Sequence, residues 1–396
     1  MSIPVFHSYG DWGLSGVNTW TVNMVRGSKH SKFEHRVLFT GISPHAKPEL
    51  DELGIPYEFL ELLAKRTRRQ EWRELKRFLE DRSPCIYIPN YDFHRSCAVG
   101  TLAKSVKVCA VIHSDEHCYF DEVRRLGRNF DVIVAVSRLL SEKLGKEFPS
   151  LKSRVWHIPH GIPLPPPGEN VRRRDGRLRL AYCNRLQQYQ KRVFDLPEIA
   201  VGLRKREIPF LLTIAGDGPD SAGLRRKFAD FGLQKEIIFR GRIANEEVLN
   251  LVRDSHCFLL TSDFEGLPIS LLEAMSTGCV PVAYRTPSGI AEAIEHGQSG
   301  MLVSHGNIES FVSTLEKLSQ DSEMLEELAG NAAARVAGQF ALTRMCAEYD
   351  AMFEQVCLEK ETDFRIARTN RVLKPLDLKL RSRAYRWVMR HLQSSC

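Results

Sequence analysis

The stretch Thr261-Ser-Asp-Phe-Glu265-Gly-Leu-Pro-Ile-Ser-Leu-Leu-Glu273-Ala-Met-Ser-Thr-Gly-Cys-Val-Pro-Val282 decides the reading of this chain. A buried-looking strand runs into it from His256 and ends at Ser262. A turn bearing Gly266 and Pro268 follows, and a helix is expected from about Ile269. Ligands of open α/β sheets bind outside the carboxyl ends of strands. The free N–H groups of a helix start attract phosphate. Glu265 stands on the turn and Glu273 inside the helix, with seven residues between them. A carboxylate can accept two hydroxyl hydrogen bonds from a ribose or a hexose. The alternative is that both are ordinary solvated or capping carboxylates.

Outward from this stretch, β-branched runs alternate with helical patterns in both directions. The earlier strand candidates are 3–9, 36–40, 85–89, 106–113, 131–137 and 155–158; the later ones are 178–183, 210–215, 237–241, 256–261, 280–284 and 301–303. Several are continuous apolar runs such as Val132-Ile-Val-Ala-Val136, the mark of parallel strands covered on both faces. Pro163-Leu-Pro-Pro-Pro167 and the polar 168–177 interrupt the alternation. Prolines at that density neither pair in a central strand nor continue a helix, so a domain linker is expected there. From 307 onward only helical patterns remain. The fold expected is α/β: two facing, doubly wound parallel-sheet domains over 1–165 and 176–345, then C-terminal helices over 346–396 that cross back to the first domain.

The 396 residues suffice for more than one core, and 43% hydrophobic with 27% charged residues is ordinary for a soluble chain. No apolar run reaches the roughly 18 residues that span a bilayer, and the first residues lack the basic and apolar regions of an export signal. Ten cysteines without a Cys-x-x-Cys, several inside apolar runs, fit free thiols in a reducing compartment; a cytoplasmic location is expected. The net charge of +7 is placed unevenly. Residues 364–396 hold nine basic residues against Asp377, a net +8, which leaves −1 for everything before them. A nucleic-acid binder would spread its charge over the folded body, so no nucleic-acid partner is expected.

The quoted stretch resembles the Glu-x7-Glu motif of retaining glycosyltransferases of GT-B fold, in particular glycosyltransferase family 4, also called group 1. Other segments resemble that family in the same order: Ala181-Tyr-Cys-Asn-Arg185-Leu with Lys191, Leu212-Thr-Ile-Ala-Gly216-Asp-Gly-Pro219, Ile238-Phe-Arg-Gly241-Arg, and 289–303 with Glu292. In the first half, Tyr9-Gly10-Asp-Trp-Gly13-Leu-Ser-Gly16 resembles the family's glycine-rich loop without its usual Gly-Gly pair. Ile158-Pro-His160-Gly161 resembles its domain-closing segment, with His160 where Asn is commoner.

The resemblance implies a nucleotide-sugar donor, with UDP or GDP as its nucleotide, bound between two Rossmann-like domains. Arg185 and Lys191 would neutralise its diphosphate, and Glu273 would take the ribose hydroxyls. Glu265 would meet the donor sugar, and His113 would meet it from the other wall. Gly13 and Gly16 would let the first domain approach, and the backbone around Gly266 and Leu267 would reach phosphate or sugar. Transfer to a hydroxyl acceptor, a glycan or lipid-linked glycan, would retain the anomeric configuration by a same-face displacement, with no cofactor. A non-catalytic nucleotide-sugar-binding protein and a nucleotide-sugar epimerase are the alternatives on the same fold. Acceptor specificity is expected in N-terminal loops such as 92–99 and 114–127. His113-Ser-Asp115-Glu116-His117-Cys118 has ligand-type residues, but adjacent positions on one short loop rarely converge on one ion, and no metal is expected. Leu376, Leu380, Trp387, Val388 and Leu392 share one face of a helical pattern, and Lys379, Arg383, Arg386 and Arg390 the other. That pattern suits docking on the first domain or a peripheral contact with the anionic inner face of a membrane.

Overall fold

The computed structural model describes residues 2–13, 15–41, 46–60, 67–90, 96–166 and 176–358. The first sheet contains β1 (Ile3–Tyr9), β2 (Phe33–Phe39), β3 (Tyr57–Phe59), β4 (Cys85–Pro89), β5 (Val106–Ile112), β6 (Val132–Ala135) and β7 (Val155–His157). Between them lie α1 (Gly16–Gly27), α2 (Ala46–Leu53), α3 (Arg68–Glu80), α4 (His117–Leu126) and α5 (Arg138–Glu147). The second sheet contains β8 (Leu178–Cys183), β9 (Phe210–Ala215), β10 (Ile237–Gly241), β11 (Cys257–Leu260), β12 (Val280–Arg285) and β13 (Met301–Ser304). Its helices are α6 (Gln188–Lys191), α7 (Asp195–Lys205), α8 (Ser221–Asp230), α9 (Asn245–Arg253), α10 (Ile269–Ser276) and α11 (Ile290–Ala293). Helices α12 (Ile308–Gln320), α13 (Ser322–Gln339) and α14 (Leu342–Leu358) follow.

All strand pairs are parallel, in the orders β3-β2-β1-β4-β5-β6-β7 and β10-β9-β8-β11-β12-β13. The order therefore reverses beside β1 and beside β8. At such a reversal the connecting helices leave toward opposite faces, and a crevice opens at the strands' carboxyl ends. β4 and β6 are buried at every position, as strands covered on both faces must be.

Residues 114–127, expected as a loop, form α4 over His117–Leu126. Tyr119, Phe120, Val123 and Leu126 make a helical stripe that is buried, and the Asp and Glu residues around it hid that stripe in the sequence. α2 and β3 are additional elements. β3 has only three residues, too few for alternation to show. Of the other expected acceptor loop, 92–99, residues 96–99 fall in a short 3-10 turn, Ser96–Thr101. The rest of that loop, most of the linker and the whole of 376–392 lie outside the described residues.

α14 returns to the first domain. Ile162 and the 340–342 segment exchange backbone hydrogen bonds at the crossing. The helix then buries Tyr349, Met352 and Phe353, with Tyr349 against Trp20 and Phe353 against Phe33. Among the described residues no helix is long and apolar enough to cross a membrane. Cys85, Cys109, Cys118, Cys183, Cys346 and Cys357 form no disulfide, and burial holds thiols such as Cys85 and Cys183 up at about 12.

Candidate functional site

The expected residues come from the carboxyl ends of β1, β5, β8 and β11 and from the helices that follow β8 and β11, and they gather where the domains meet. Arg185 follows β8, Lys191 ends α6, Glu265 follows β11, and Glu273 sits on α10. On the first domain, the glycine loop follows β1, Asn90 follows β4 and His113 follows β5.

Glu265 is 6% exposed, so it is not a solvated carboxylate. Its Oε1 pairs with Lys191 Nζ, and Gln190 Nε2 approaches its other oxygen at 3.5 Å. The Lys191 backbone is fixed by Thr261 Oγ1, which donates to its carbonyl at 2.7 Å. Arg185 is half-buried and has no salt-bridge partner among the described residues. The β8 loop that carries it is clamped through the backbone. Asn184 N donates to Ala215 O and Leu186 N to Asp217 O. A Cβ on Gly216, at φ +130°, would lie 2.0 Å from Asn184 O. Only glycine allows both that φ and that approach.

Glu273 is also 6% exposed. Burial pushes its carboxyl up to about 7, against a hydrogen bond from Asn245 that lowers it. A buried acid poised at neutrality fits a site that receives hydroxyl donors when occupied. No sequence pattern pointed to Asn245, because it lies on α9 and meets Glu273 only through the fold.

The turn between β11 and α10 makes the contact with the first domain. A Cβ on Gly266 would fall 2.1 Å from His113 O, and one on Gly289 would fall 1.9 Å from Gly266 O. Gly266 O accepts from Gly289 N at 2.7 Å. Leu267 O accepts from His160 Nδ1 at 2.8 Å. The N–H groups of Gly266 and Leu267 meet no acceptor among the described residues, and they adjoin the open first turn of α10. Three residues beyond Gly289, Glu292 reaches across to the start of α5. Its Oε2 accepts from Arg138 N at 2.7 Å and its Oε1 lies 2.9 Å from His157 Nε2.

On the facing wall, His113 is 7% exposed, with its ring edge-on to Trp20. Burial, then the neighbouring His160 and His7, hold it well below the ordinary imidazole range. Glu116 begins α4 and feels the charges of Glu265, Lys191 and Arg185 across the cleft, although burial is the largest influence and raises its carboxyl. Asp115 pairs with Lys143. In the loop after β1, a Cβ on Gly13 or on Gly16 would meet no protein atom within 4 Å. Packing therefore requires neither glycine, and the backbone there is uncovered. Leu14 lies outside the described residues.

Among the described residues the site is thus a cleft with a half-buried guanidinium that has no salt-bridge partner, a lysine-carboxylate pair, a second buried carboxylate and N–H groups without an acceptor at a helix start. That set can bind an anion flanked by hydroxyl groups. Residues 169–335, which carry most of it, match the family model described as glycosyl transferases group 1. Over 137 residues the chain is 34% identical to the amylovoran biosynthesis glycosyltransferase AmsK of Erwinia amylovora, covering 33% of each chain. The chain spans about a third of the length of that relative in the matched part. TarM of S. aureus, solved with UDP, superposes with a TM-score of 0.76 at 11% identity over 89% of this chain and 99% of that one. Anabaena HepE, solved with UDP and glucose, superposes with a TM-score of 0.73 at 15% identity, again over 89% and 99%. These likenesses establish the two-domain GT-B fold.

Proposed function

We propose that the chain is a retaining glycosyltransferase of the family-4 type, moving a sugar from a nucleotide-sugar donor to a hydroxyl of a glycan or lipid-linked glycan. One observation carries this reading. Arg185, the Lys191–Glu265 pair, the free N–H groups of Gly266 and Leu267, and the buried Glu273 converge at one helix start in the crevice between the domains. The similarity to AmsK, a glycosyltransferase, supports it. TarM and HepE were solved with UDP, which favours UDP over GDP as the donor nucleotide.

In this reading Arg185 and Lys191 hold the diphosphate and stabilise charge as it builds on the leaving oxygen. Glu273 accepts the ribose hydroxyls. Glu265, oriented by Lys191, and His113 on the opposite wall fix the donor sugar. Gly13 and Gly16 let the first domain approach. The acceptor oxygen bonds to the anomeric carbon on the face from which the diphosphate departs. The carbon–oxygen bond to phosphate breaks, and the acceptor proton passes to the leaving phosphate oxygen. The basic stretch near the C-terminus would bring the enzyme to an anionic membrane surface holding the acceptor; sedimentation with anionic liposomes at low salt tests that part.

A thermal-shift screen with UDP, GDP, ADP and CMP sugars tests the core of the reading. A ligand at 100 times its Kd stabilises by about 2.7 kcal/mol. Stabilisation by none of them would refute it. Binding without transfer to any hydroxyl acceptor would leave a binding protein, and NMR of the product anomer tests retention.

A further inference from the structure

Four buried histidines lie in line from the core of the first domain to the turn of the second. His35 Nδ1 is 2.8 Å from His7 Nε2. Asn90 lies between His7 and His113, with an amide atom 3.4 Å from His7 Nδ1 and the other 3.4 Å from His113 Nε2. His113 Nδ1 is 3.2 Å from His160 Nε2, and His160 Nδ1 is 2.8 Å from Leu267 O. Trp20 stands edge-on to both His7 and His113, while Phe353 of α14 covers His35. All four rings are at most 7% exposed. Burial keeps them neutral, with His160 at about 4 and His35 at about 3.

A neutral imidazole has one N–H and one bare nitrogen. A carbonyl only accepts, so Leu267 O fixes the proton of His160 on Nδ1. His160 Nε2 is then bare and must accept, which fixes the proton of His113 on Nδ1. His113 Nε2 is in turn a bare acceptor. With the amide oxygen of Asn90 toward it, two lone pairs would meet. Exchanging the two ends of the amide, which have the same shape, gives it a donor. The oxygen then accepts from His7 Nδ1–H, and His7 Nε2 accepts from His35 Nδ1–H. Every donation then runs toward the second domain.

We propose that His160 is a positioning residue that sets the tautomer of His113 from across the domain contact: Leu267 O, through His160, leaves His113 with a bare Nε2 that can accept a donor-sugar hydroxyl but cannot donate to one. This rests on the nucleotide-sugar reading for its use, and on hydrogen-bond geometry alone for the tautomers. A sugar hydroxyl reaching His113 would share or displace the long Asn90 contact.

Two measurements test it on the full chain. Long-range proton–nitrogen spectra at pH 7, assigned with single His variants, should show all four rings as Nδ1–H. An Nε2–H or protonated His113 would overturn the proposal, and an Nε2–H His7 or His35 would overturn its extension through Asn90. Calorimetry should then compare UDP-glucose with UDP. His160→Ala should weaken UDP-glucose about tenfold and UDP by less than about twofold, the size of one lost hydrogen bond. His160→Asn, whose amide can donate to Leu267 O and accept from His113, should restore the preference. Equal weakening of both ligands, or of neither, would show a merely structural His160. Failure of wild type to bind either nucleotide would count against the UDP reading, and the spectra would still decide the tautomers.

Discussion

Replacing Glu273 with Gln should make the ligand-free protein more stable and the liganded one weaker, with opposite signs from one atom. The folded carboxyl titrates at about 7 instead of its ordinary 4.5. Below that window the group is protonated in both states and costs nothing. As pH rises the unfolded chain ionises first, and the folded state is increasingly penalised until the pH passes 7. At ~1.36 kcal/mol per pH unit, the full penalty is about 3 kcal/mol. Gln copies the protonated acid at every pH. Urea unfolding should therefore show Glu273→Gln about 3 kcal/mol more stable than wild type at pH 8, and less than about 1 kcal/mol more stable at pH 5. Ribose hydroxyls favour the charged form, and a charged hydrogen bond is worth about 1.5–3 kcal/mol. UDP should then bind roughly 10- to 100-fold more weakly to the variant at pH 8. Wild-type affinity should fall as pH is lowered through 7. A stability gain that does not depend on pH would refute the burial argument. Unchanged UDP affinity would refute the ribose role.

Arg185→Ala should cut transfer by about 100-fold or more without changing the unfolding midpoint, since Arg185 has no salt bridge to lose among the described residues. Lys191→Ala should cut transfer similarly but also cost about 3 kcal/mol of stability, because it strands the buried Glu265; denaturation of the two variants side by side separates these effects. Gly266→Ala would place a Cβ 2.1 Å from His113 O, backbone against side chain with no rotamer to relieve it. Small-angle scattering should show the domains displaced, and an unchanged profile would mean that the turn is not what holds them.

The second sheet was open to sequence reading because its evidence is local. Each strand of 178–303 is a short, largely apolar run, four of the six end at or within two residues of a glycine or proline, and Glu265 and Glu273 sit at a fixed spacing on one strand-turn-helix unit. Charged residues concealed α4, and brevity concealed β3. The line as a whole could not be read, since it joins β1, β2, β4, β5 and the domain crossing across 23 to 83 positions of sequence. The sequence singled out His113 and His160 separately, and a further trace is the polar pair His7-Ser8 inside an otherwise apolar strand. The Gly266 reading was incomplete for a related reason. The sequence suggested N–H groups free for a ligand but gave no sign that its α-carbon lies against the backbone of the other domain.

That turn has a division of labour with a physical consequence. Its carbonyls are committed: Gly266 O to Gly289 N, and Leu267 O to His160. Its N–H groups meet no acceptor among the described residues. Gly266 O and Leu267 N–H belong to one peptide group, so the bond from Gly289 N fixes that donor from its opposite side; a donor so fixed needs no reorganisation when charge develops in front of it, and this is where preorganised dipoles gain most over water. The fixing comes from both domains, since Gly289 belongs to the second and His160 to the crossing from the first. Separating the domains would release Leu267 O while leaving Gly266 O held. The Leu267–Pro268 peptide group, which carries no N–H, would then lose its anchor, while the Leu267 N–H stayed fixed through Gly266 O. The turn is therefore anchored at both carbonyls only while the domains are closed, whereas the aim of the Leu267 N–H is set inside the second domain and survives their separation.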